Sequence, residues 1–110
     1  MSTITYKSLG QSNPAATTET TLYTVPAATA AVCSTITACN TSATPCTYRV
    51  YLRVAGAAAT TKQYLVYDAT LNGNNTVTLT LGITMAATDV MSVYCSTNTA
   101  AFNLSGSEIS

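Results

Sequence analysis

The sequence contains no histidine and no tryptophan, and only four basic and four acidic residues occur among its 110 positions. Without histidine, a Ser/His or Cys/His catalytic arrangement cannot exist, and a mixed Cys/His zinc site is excluded. The five glycines are isolated from one another, so no glycine-rich loop is present that could bind phosphates. We therefore expect a protein that is not an enzyme and that holds no cofactor.

The charge is also too sparse for two classes of partner. The formal net charge is zero, and the four cations are scattered along the chain. A nucleic-acid-binding protein neutralises several phosphates at once, and attachment to a membrane surface takes a polybasic cluster. We expect neither partner. Low charge also leaves little electrostatic repulsion between molecules, which favours a surface that a partner protein covers.

The sequence lacks the pattern of a signal peptide, in which a charged leader precedes an apolar run. No apolar run reaches the roughly 18 residues that a transmembrane helix needs. If Met1 is the genuine initiator, we expect a protein that is made and kept in a cytoplasm. An engineered methionine in place of a removed leader would look the same.

Four cysteines, Cys33, Cys39, Cys46 and Cys95, are separated by six, seven and 49 positions. These spacings match no C-x-x-C motif of a zinc site or a redox protein, and we expect no metal. Free cysteines behave as small apolar residues in a core, which is our first interpretation. The alternative is a disulfide between Cys39 and Cys46 across a predicted turn.

Asp68 and Asp89 form the one plausible carboxylate pair for acid–base chemistry or calcium binding. Each lies beside a predicted turn, where an aspartate commonly accepts hydrogen bonds from backbone N–H groups. We therefore interpret both as structural residues.

What the sequence has in abundance is small and uncharged: 23 threonines, 17 alanines and 10 serines. Threonine is β-branched and fits the half-exposed face of a strand, whereas the residues that usually cover helix surfaces are few. The clearest strand is residues 76–84, T-V-T-L-T-L-G-I-T, in which apolar and polar side chains alternate with period two. This composition indicates β-structure throughout.

Seven strands are predicted from such patterns and from the turn residues between them. They lie at residues 20–25, 31–39, 47–54, 62–68, 76–84, 90–96 and 100–106. The turn formers at 72–75 predict a hairpin of 62–68 with 76–84, and those at 40–45 predict a hairpin of 31–39 with 47–54. The fold class is all-β: a single-domain β-sandwich or jelly roll of seven or eight strands over 19–110. Residues 1–18 are predicted to form an N-terminal arm or an edge strand. The arm, residues 2–18, is the first candidate for contact with a partner, because an extended segment can add its backbone hydrogen bonds to the edge of a neighbour's sheet.

Residues 47–54 contain the second candidate interaction site, after the N-terminal arm. Period two puts Arg49, Tyr51 and Arg53 together, on the face opposite Tyr48 and Val50. Arginine and tyrosine are enriched where protein interfaces concentrate their binding energy. Arg49, Tyr51 and Arg53 are therefore a candidate contact patch, and the alternative is an ordinary solvated face. We expect most other strand tyrosines in core or cross-strand packing.

Several segments resemble a family of small virion proteins of tailed bacteriophages. They are L-Y-T-V-P-A at 22–27, V-C-S-T-I at 32–36, C-N-T-S at 39–42, T-Y-R-V at 47–50, K-Q-Y-L-V-Y-D at 62–68 and F-N-L-S-G-S-E-I at 102–109. The resemblance runs through nearly the whole chain, although Cys33, Cys46 and Cys95 depart from the usual pattern. It implies a small β-domain that is made in the host cytoplasm and located in the virion.

The resemblance further implies a capsid decoration or cement protein that binds the capsid shell and stabilises it. Its partner would be the major capsid protein or another virion protein. A rigid sandwich at the junction of several shell subunits would resist their separation. Three-fold positions on the shell would suit a homo-oligomer, with a trimer as the expected form.

Two other functions stay open. A tail, baseplate or receptor-binding module would also belong to the virion, but it would contact a host surface. A secreted carbohydrate-binding β-sandwich would need a leader peptide, and it would present exposed, coplanar aromatic rings.

Overall fold

Eight strands form in residues 3–110, which are the residues that the computed structural model describes. They are β1 (Ile4–Ser12), β2 (Thr20–Thr24), β3 (Ala30–Asn40), β4 (Cys46–Arg53), β5 (Tyr64–Leu71), β6 (Thr76–Met85), β7 (Val90–Cys95) and β8 (Ala100–Ile109). Two 3-10 turns, Val54–Gly56 and Thr61–Gln63, separate β4 from β5. Within this part of the chain, no helix is long and apolar enough to cross a membrane.

The strands make two antiparallel four-stranded sheets. The first has the order β1-β8-β3-β6 and the second has the order β2-β7-β4-β5. Every connection except the one from β4 to β5 carries the chain from one sheet to the other. Eight strands in two sheets with these connections form a jelly roll. The prediction of an all-β sandwich is confirmed, and β1 is an edge strand hydrogen-bonded to β8.

Both predicted hairpins are wrong. β5 and β6 belong to different sheets, as do β3 and β4. The hydrogen-bonded pair of consecutive strands is β4 with β5. The turn residues at 40–45 and 72–75 do reverse the chain. A reversal can return a strand to its own sheet or carry it to the facing sheet, and a strand with one apolar face is buried equally well either way. The local pattern therefore does not decide between the two.

The core lies between the inner faces of the two sheets. The first sheet contributes Phe102 and Leu104 from β8 and Ile36 from β3, all fully buried. The second sheet contributes Met91 from β7, also fully buried, among other residues. Across the interface, the ring of Tyr48 on β4 packs against Phe102, with 6.2 Å between the ring centroids. The only phenylalanine of the chain is thus at the contact between the sheets.

Asn40 is a buried polar residue at the end of β3, with only 1% of its surface exposed. Its Nδ2 donates hydrogen bonds to the carbonyl oxygens of Thr44 (2.8 Å) and Leu71 (3.3 Å). Its Oδ1 accepts from the backbone N–H of Ser42 (3.0 Å) and from the hydroxyl of Thr99 (2.9 Å). The amide therefore uses both donor hydrogens and two acceptor positions. It ties the crossing from β3 to β4 to the end of β5 and to the β7–β8 turn.

We expect Asn40→Ala to lower the free energy of unfolding by about 2–4 kcal/mol, because buried carbonyl and N–H groups lose their partners. Urea denaturation of the purified protein measures this. The matched control is Asn103→Ala, which changes an exposed asparagine on the outer face of β8 whose Oδ1 accepts one exposed hydrogen bond, from Gln11 at 2.7 Å. It should cost less than about 1 kcal/mol. Equal effects of the two substitutions would contradict the role given to Asn40.

Candidate functional site

Arg49 lies in the middle of β4, which has β7 on one side and β5 on the other. On the β7 side, its register partner is Tyr94. On the β5 side, the register shifts opposite Arg49 because β5 has one extra residue there. At this bulge, Asp68 adopts a left-handed backbone conformation with a φ of 50°, and both Tyr67 and Asp68 come close to Arg49.

The guanidinium of Arg49 is held by one carboxylate and surrounded by aromatic rings. Its Nε and Nη2 donate to the two carboxylate oxygens of Asp68 at 2.6 and 3.2 Å. Its Cζ lies 4.2 Å from the ring centroid of Tyr94, 4.6 Å from that of Tyr67 and 5.9 Å from that of Tyr64. These are cation–π distances. We call the five residues, Arg49, Tyr64, Tyr67, Asp68 and Tyr94, the Arg49 surface.

The ion pair perturbs both of its members. The hydrogen bonds to Asp68 raise the pKa of Arg49, and the same hydrogen bonds lower the pKa of Asp68. Both side chains are partly exposed, so water and salt screen their attraction. The bidentate geometry therefore serves mainly to fix the orientation of the guanidinium plane.

Tyr51 faces the same side of the sheet as Arg49, yet only 3% of its surface is exposed. The ring of Tyr64 packs on it, with 4.8 Å between the centroids, and Tyr64 in turn meets Tyr67 edge-on at 4.6 Å and 66°. Burial raises the pKa of Tyr51. Tyr51 thus supports the rings above it, whereas Tyr67, which is 58% exposed, is the ring open to a partner.

Arg53, the third residue of the predicted patch, is engaged within the chain. It donates to the carbonyl oxygens of Ala57 (2.7 Å) and Gly56 (3.2 Å) and to the carboxylate of Glu19 (3.2 Å). These bonds hold the loop that follows β4 against the segment before β2. Arg49, Tyr51 and Arg53 share the outer face of β4, as period two predicts, but Arg49 and Arg53 have different partners.

Sequence reasoning missed Tyr67, Asp68 and Tyr94 as neighbours of Arg49. Their positions follow from the pairing of β4 with β5 and β7. The local sequence pattern predicts other strand pairs, so it does not bring these residues to Arg49. The bulge at Asp68 also changes which residues of β5 lie next to Arg49.

The two aspartates of the candidate carboxylate pair have separate roles. Asp89 is buried and accepts hydrogen bonds from the backbone N–H groups of Ala55 (2.8 Å) and Ala86 (2.9 Å), so it acts as the expected backbone cap. Asp68 is not a cap, since it lies within β5 and its carboxylate pairs with Arg49 on β4. In residues 3–110, no group of three or more cysteine or carboxylate side chains is arranged to hold a metal ion.

The four cysteines are free thiols, and three of them are buried. The sulfur of Cys46 lies 3.4 Å from that of Cys95, so Cys95 and not Cys39 is its neighbour. Cys39 lies on the half-exposed outer face of β3, whereas Cys46 faces the core, so the expected alternative of a bridge between Cys39 and Cys46 is wrong. Cys33 contacts the sulfur of Met85 at 3.3 Å, and burial raises its pKa to about 11.

An apolar groove of about 450 Å³ lies at the end of β4, beside the two 3-10 turns. Its lining residues are Leu52, Val54, Ala57, Lys62, Gln63 and Leu65. Val54 and Leu65 are among the exposed large apolar residues of the chain. The groove suits an apolar side chain of a partner better than a charged ligand, since Lys62 is its only charged lining residue.

A buried tyrosine connects the two sheets at another position. The hydroxyl of Tyr23 on β2 donates to Oε2 of Glu108 on β8 at 2.6 Å, and Lys7 on β1 donates to Oε1 at 3.1 Å. The pKa of Glu108 is lowered by the hydrogen bonds from Tyr23 and Lys7. The pKa of Tyr23 is raised by burial and by Glu108. This trio is a structural tie between strands.

The fold defines a broad class, since jelly rolls occur in viral capsid domains, lectins and cupins. Among solved structures, the chain is similar to a chain in the structure of infectious bursal disease virus Gx strain, with a TM-score of 0.53 and 10% identity. It is also similar to a chain of the Gt strain structure, with a TM-score of 0.52 and 8% identity. Each match covers 98% of this chain and 31% of the other.

The chain therefore spans about a third of the length of the viral chains that it matches. At this identity, the likeness is one of fold. No protein-family model matches the sequence, and no curated protein matches it.

We expect acid to destabilise the protein partly through Glu108. Its pKa is lowered on folding, so its contribution is complete above the ordinary glutamate pKa of about 4.3 and is lost as the pH falls through the lowered value. Tyr23→Phe removes the main cause of the shift. The fall in Tm between about pH 6 and pH 3 should then be smaller than in wild type.

Thermal melts by circular dichroism across this pH range provide the measurement. Tyr48→Phe is the matched control, because Tyr48 is also a buried tyrosine and makes no hydrogen bond to Glu108 in the described chain. The fall in its Tm between about pH 6 and pH 3 should equal that of wild type. An unchanged acid profile in Tyr23→Phe would refute the link.

Proposed function

We propose that this chain is a structural component of a bacteriophage particle, a capsid decoration or cement protein that binds the shell and stabilises it. The observation that carries the proposal is the likeness of 98% of the chain to part of a chain in a virus structure. The resemblance of its sequence to small tailed-phage virion proteins supports the phage setting. The major capsid protein is the proposed partner, and the virion is the proposed location.

The Arg49 surface is the proposed contact. Its rings and guanidinium are held in place by Asp68 and by cross-strand packing before any partner arrives. A surface that is already ordered loses less side-chain entropy on binding. Tyrosine and arginine are also the residue types that dominate interface energies. A chain with no net charge would bind through such short-range contacts and not through long-range steering.

The aromatic geometry does not favour the carbohydrate-binding alternative. A sugar-binding platform presents coplanar rings, whereas Tyr64 and Tyr67 meet at 66° and Tyr51 and Tyr64 at 44°. A tail or baseplate module would use the same surface against a different partner, so the location of the bound protein distinguishes it from a cement protein.

We expect purified protein to bind particles that lack it, saturably and at hundreds of copies on the head. Sedimentation measures the binding, and cryo-electron microscopy locates it. Tyr67→Ala should weaken binding by about tenfold or more, because it removes the exposed ring of the Arg49 surface. Tyr6→Ala is the matched comparison, since it removes an 82% exposed tyrosine from β1 of the other sheet and so tests the N-terminal arm, the other candidate contact. Its affinity should be that of wild type.

Binding of a few copies at the tail tip would assign the protein to the tail, and no binding to any particle would overturn the virion role. Head binding with equal affinity in Tyr67→Ala would keep the cement function but exclude the Arg49 surface as the contact.

We further propose a homotrimer, the closed form that fits three-fold positions on a shell. Sedimentation equilibrium of the free protein at micromolar concentration should give three times the 11.4 kDa of one chain. The mass of a single chain across that concentration range would exclude the free trimer.

A further inference from the structure

Cys46 and Cys95 are neighbours on adjacent strands of the second sheet. Cys46 is the first residue of β4 and Cys95 is the last residue of β7, and the register of these strands pairs Tyr48 with Cys95. Both cysteine side chains are buried in the core cluster. Their sulfur atoms lie 3.4 Å apart, which is contact distance, and a disulfide bond of about 2.05 Å needs an approach of roughly a further 1.3 Å.

The other two cysteines lie elsewhere. Cys33 is in the middle of β3 and contacts the sulfur of Met85. Cys39, near the end of the same strand, is only partly buried, and the cross-strand partners of its backbone are Thr76 and Ala101. Among the four thiols, which all fall within the described residues, the contact of Cys46 with Cys95 is the one that favours a bridge.

We propose that Cys46 and Cys95 form a disulfide when the folded protein meets an oxidising medium that contains a small-molecule disulfide such as glutathione disulfide. The thiolate of Cys46 attacks one sulfur of glutathione disulfide, which gives a mixed disulfide and releases one glutathione thiolate. The thiolate of Cys95 then attacks the sulfur of Cys46 and releases the second glutathione. The protein loses two protons and two electrons, and the oxidant is reduced to two thiols.

Cys46 is the better first nucleophile because it lies at the end of the sandwich, next to Pro45, and has slight exposure, whereas Cys95 has none. Burial raises the pKa of Cys46, so little of it is thiolate at neutral pH. Attack should therefore be slow and should speed up as the pH rises. In a reducing cytoplasm the two thiols stay free, and the bridge forms when the protein passes into an oxidising medium.

The bridge would join β4 to β7 and enclose β5 and β6 in a loop of 49 positions. Cross-linking a long loop restricts the unfolded chain more than cross-linking a short one. The oxidised protein should therefore melt roughly 10 °C or more above the reduced protein. This inference rests on the sandwich alone and is independent of the role in a virus particle.

The test incubates the purified, reduced full chain with glutathione disulfide at about pH 8, with dithiothreitol as the reduced reference. The remaining thiols are then alkylated under denaturing conditions, and unreduced tryptic peptides are analysed by mass spectrometry. No lysine or arginine lies between Lys7 and Arg49, so Cys33, Cys39 and Cys46 share one peptide and Cys95 lies in another. Substitutions must therefore identify the bridging residue.

We expect a cross-link between the two peptides in wild type and in the control variant Cys39→Ala, and none in Cys46→Ala. The double variant Cys33→Ala/Cys39→Ala retains only the proposed pair and should also form the cross-link, which keeps the test decisive if Cys46→Ala folds poorly. Four alkylated thiols after oxidation, a stable glutathione adduct without closure, or a cross-link that survives in Cys46→Ala would each overturn the proposal.

Discussion

The inner faces of the two sheets pack on each other, and this packing depends on how the chain crosses between them. Each strand has one apolar face, and all connections but one carry the chain to the facing sheet. The apolar faces of successive strands therefore meet across the core and do not lie side by side. Phe102 from β8 and Tyr48 from β4 show the result, since their rings pack on each other across the interface. A core of this kind needs turns at the ends of the sandwich in which the buried polar groups are hydrogen-bonded.

Polar residues at the sandwich ends make those turns. Asn40 satisfies two carbonyl oxygens, one backbone N–H and one hydroxyl where β3 crosses to β4. Asp89 does the same for two backbone N–H groups near the start of β7. Buried groups of this type must be paired because an unpaired one loses its hydrogen bonds to water. Two of the few polar side chains in the interior thus lie where the chain changes sheets.

The placement of β4 between β7 and β5 also creates the Arg49 surface. A central strand has neighbours on both sides, so a side chain on its outer face can contact residues from two neighbouring strands. Arg49 uses this position to meet Tyr94 on β7 and Tyr67 with Asp68 on β5. An arginine on an edge strand would have only one such neighbour. The proposed contact with a partner therefore depends on the same strand order that forms the core.

The sequence alone determined the fold class and the facing of individual residues. Period-two alternation depends only on the geometry of a strand, so it placed Arg49, Tyr51 and Arg53 on one face and predicted seven strands, all of which form. The missing histidine and the low charge bounded the chemistry, because those properties belong to composition. Tertiary structure decided which strands pair. It placed β5 beside β4 and not beside β6. It also packed Tyr64 on Tyr51 and brought Cys46, and not Cys39, next to Cys95. The reason is that a turn specifies a reversal of the chain, whereas the choice between the same sheet and the facing sheet depends on packing among strands distant in sequence.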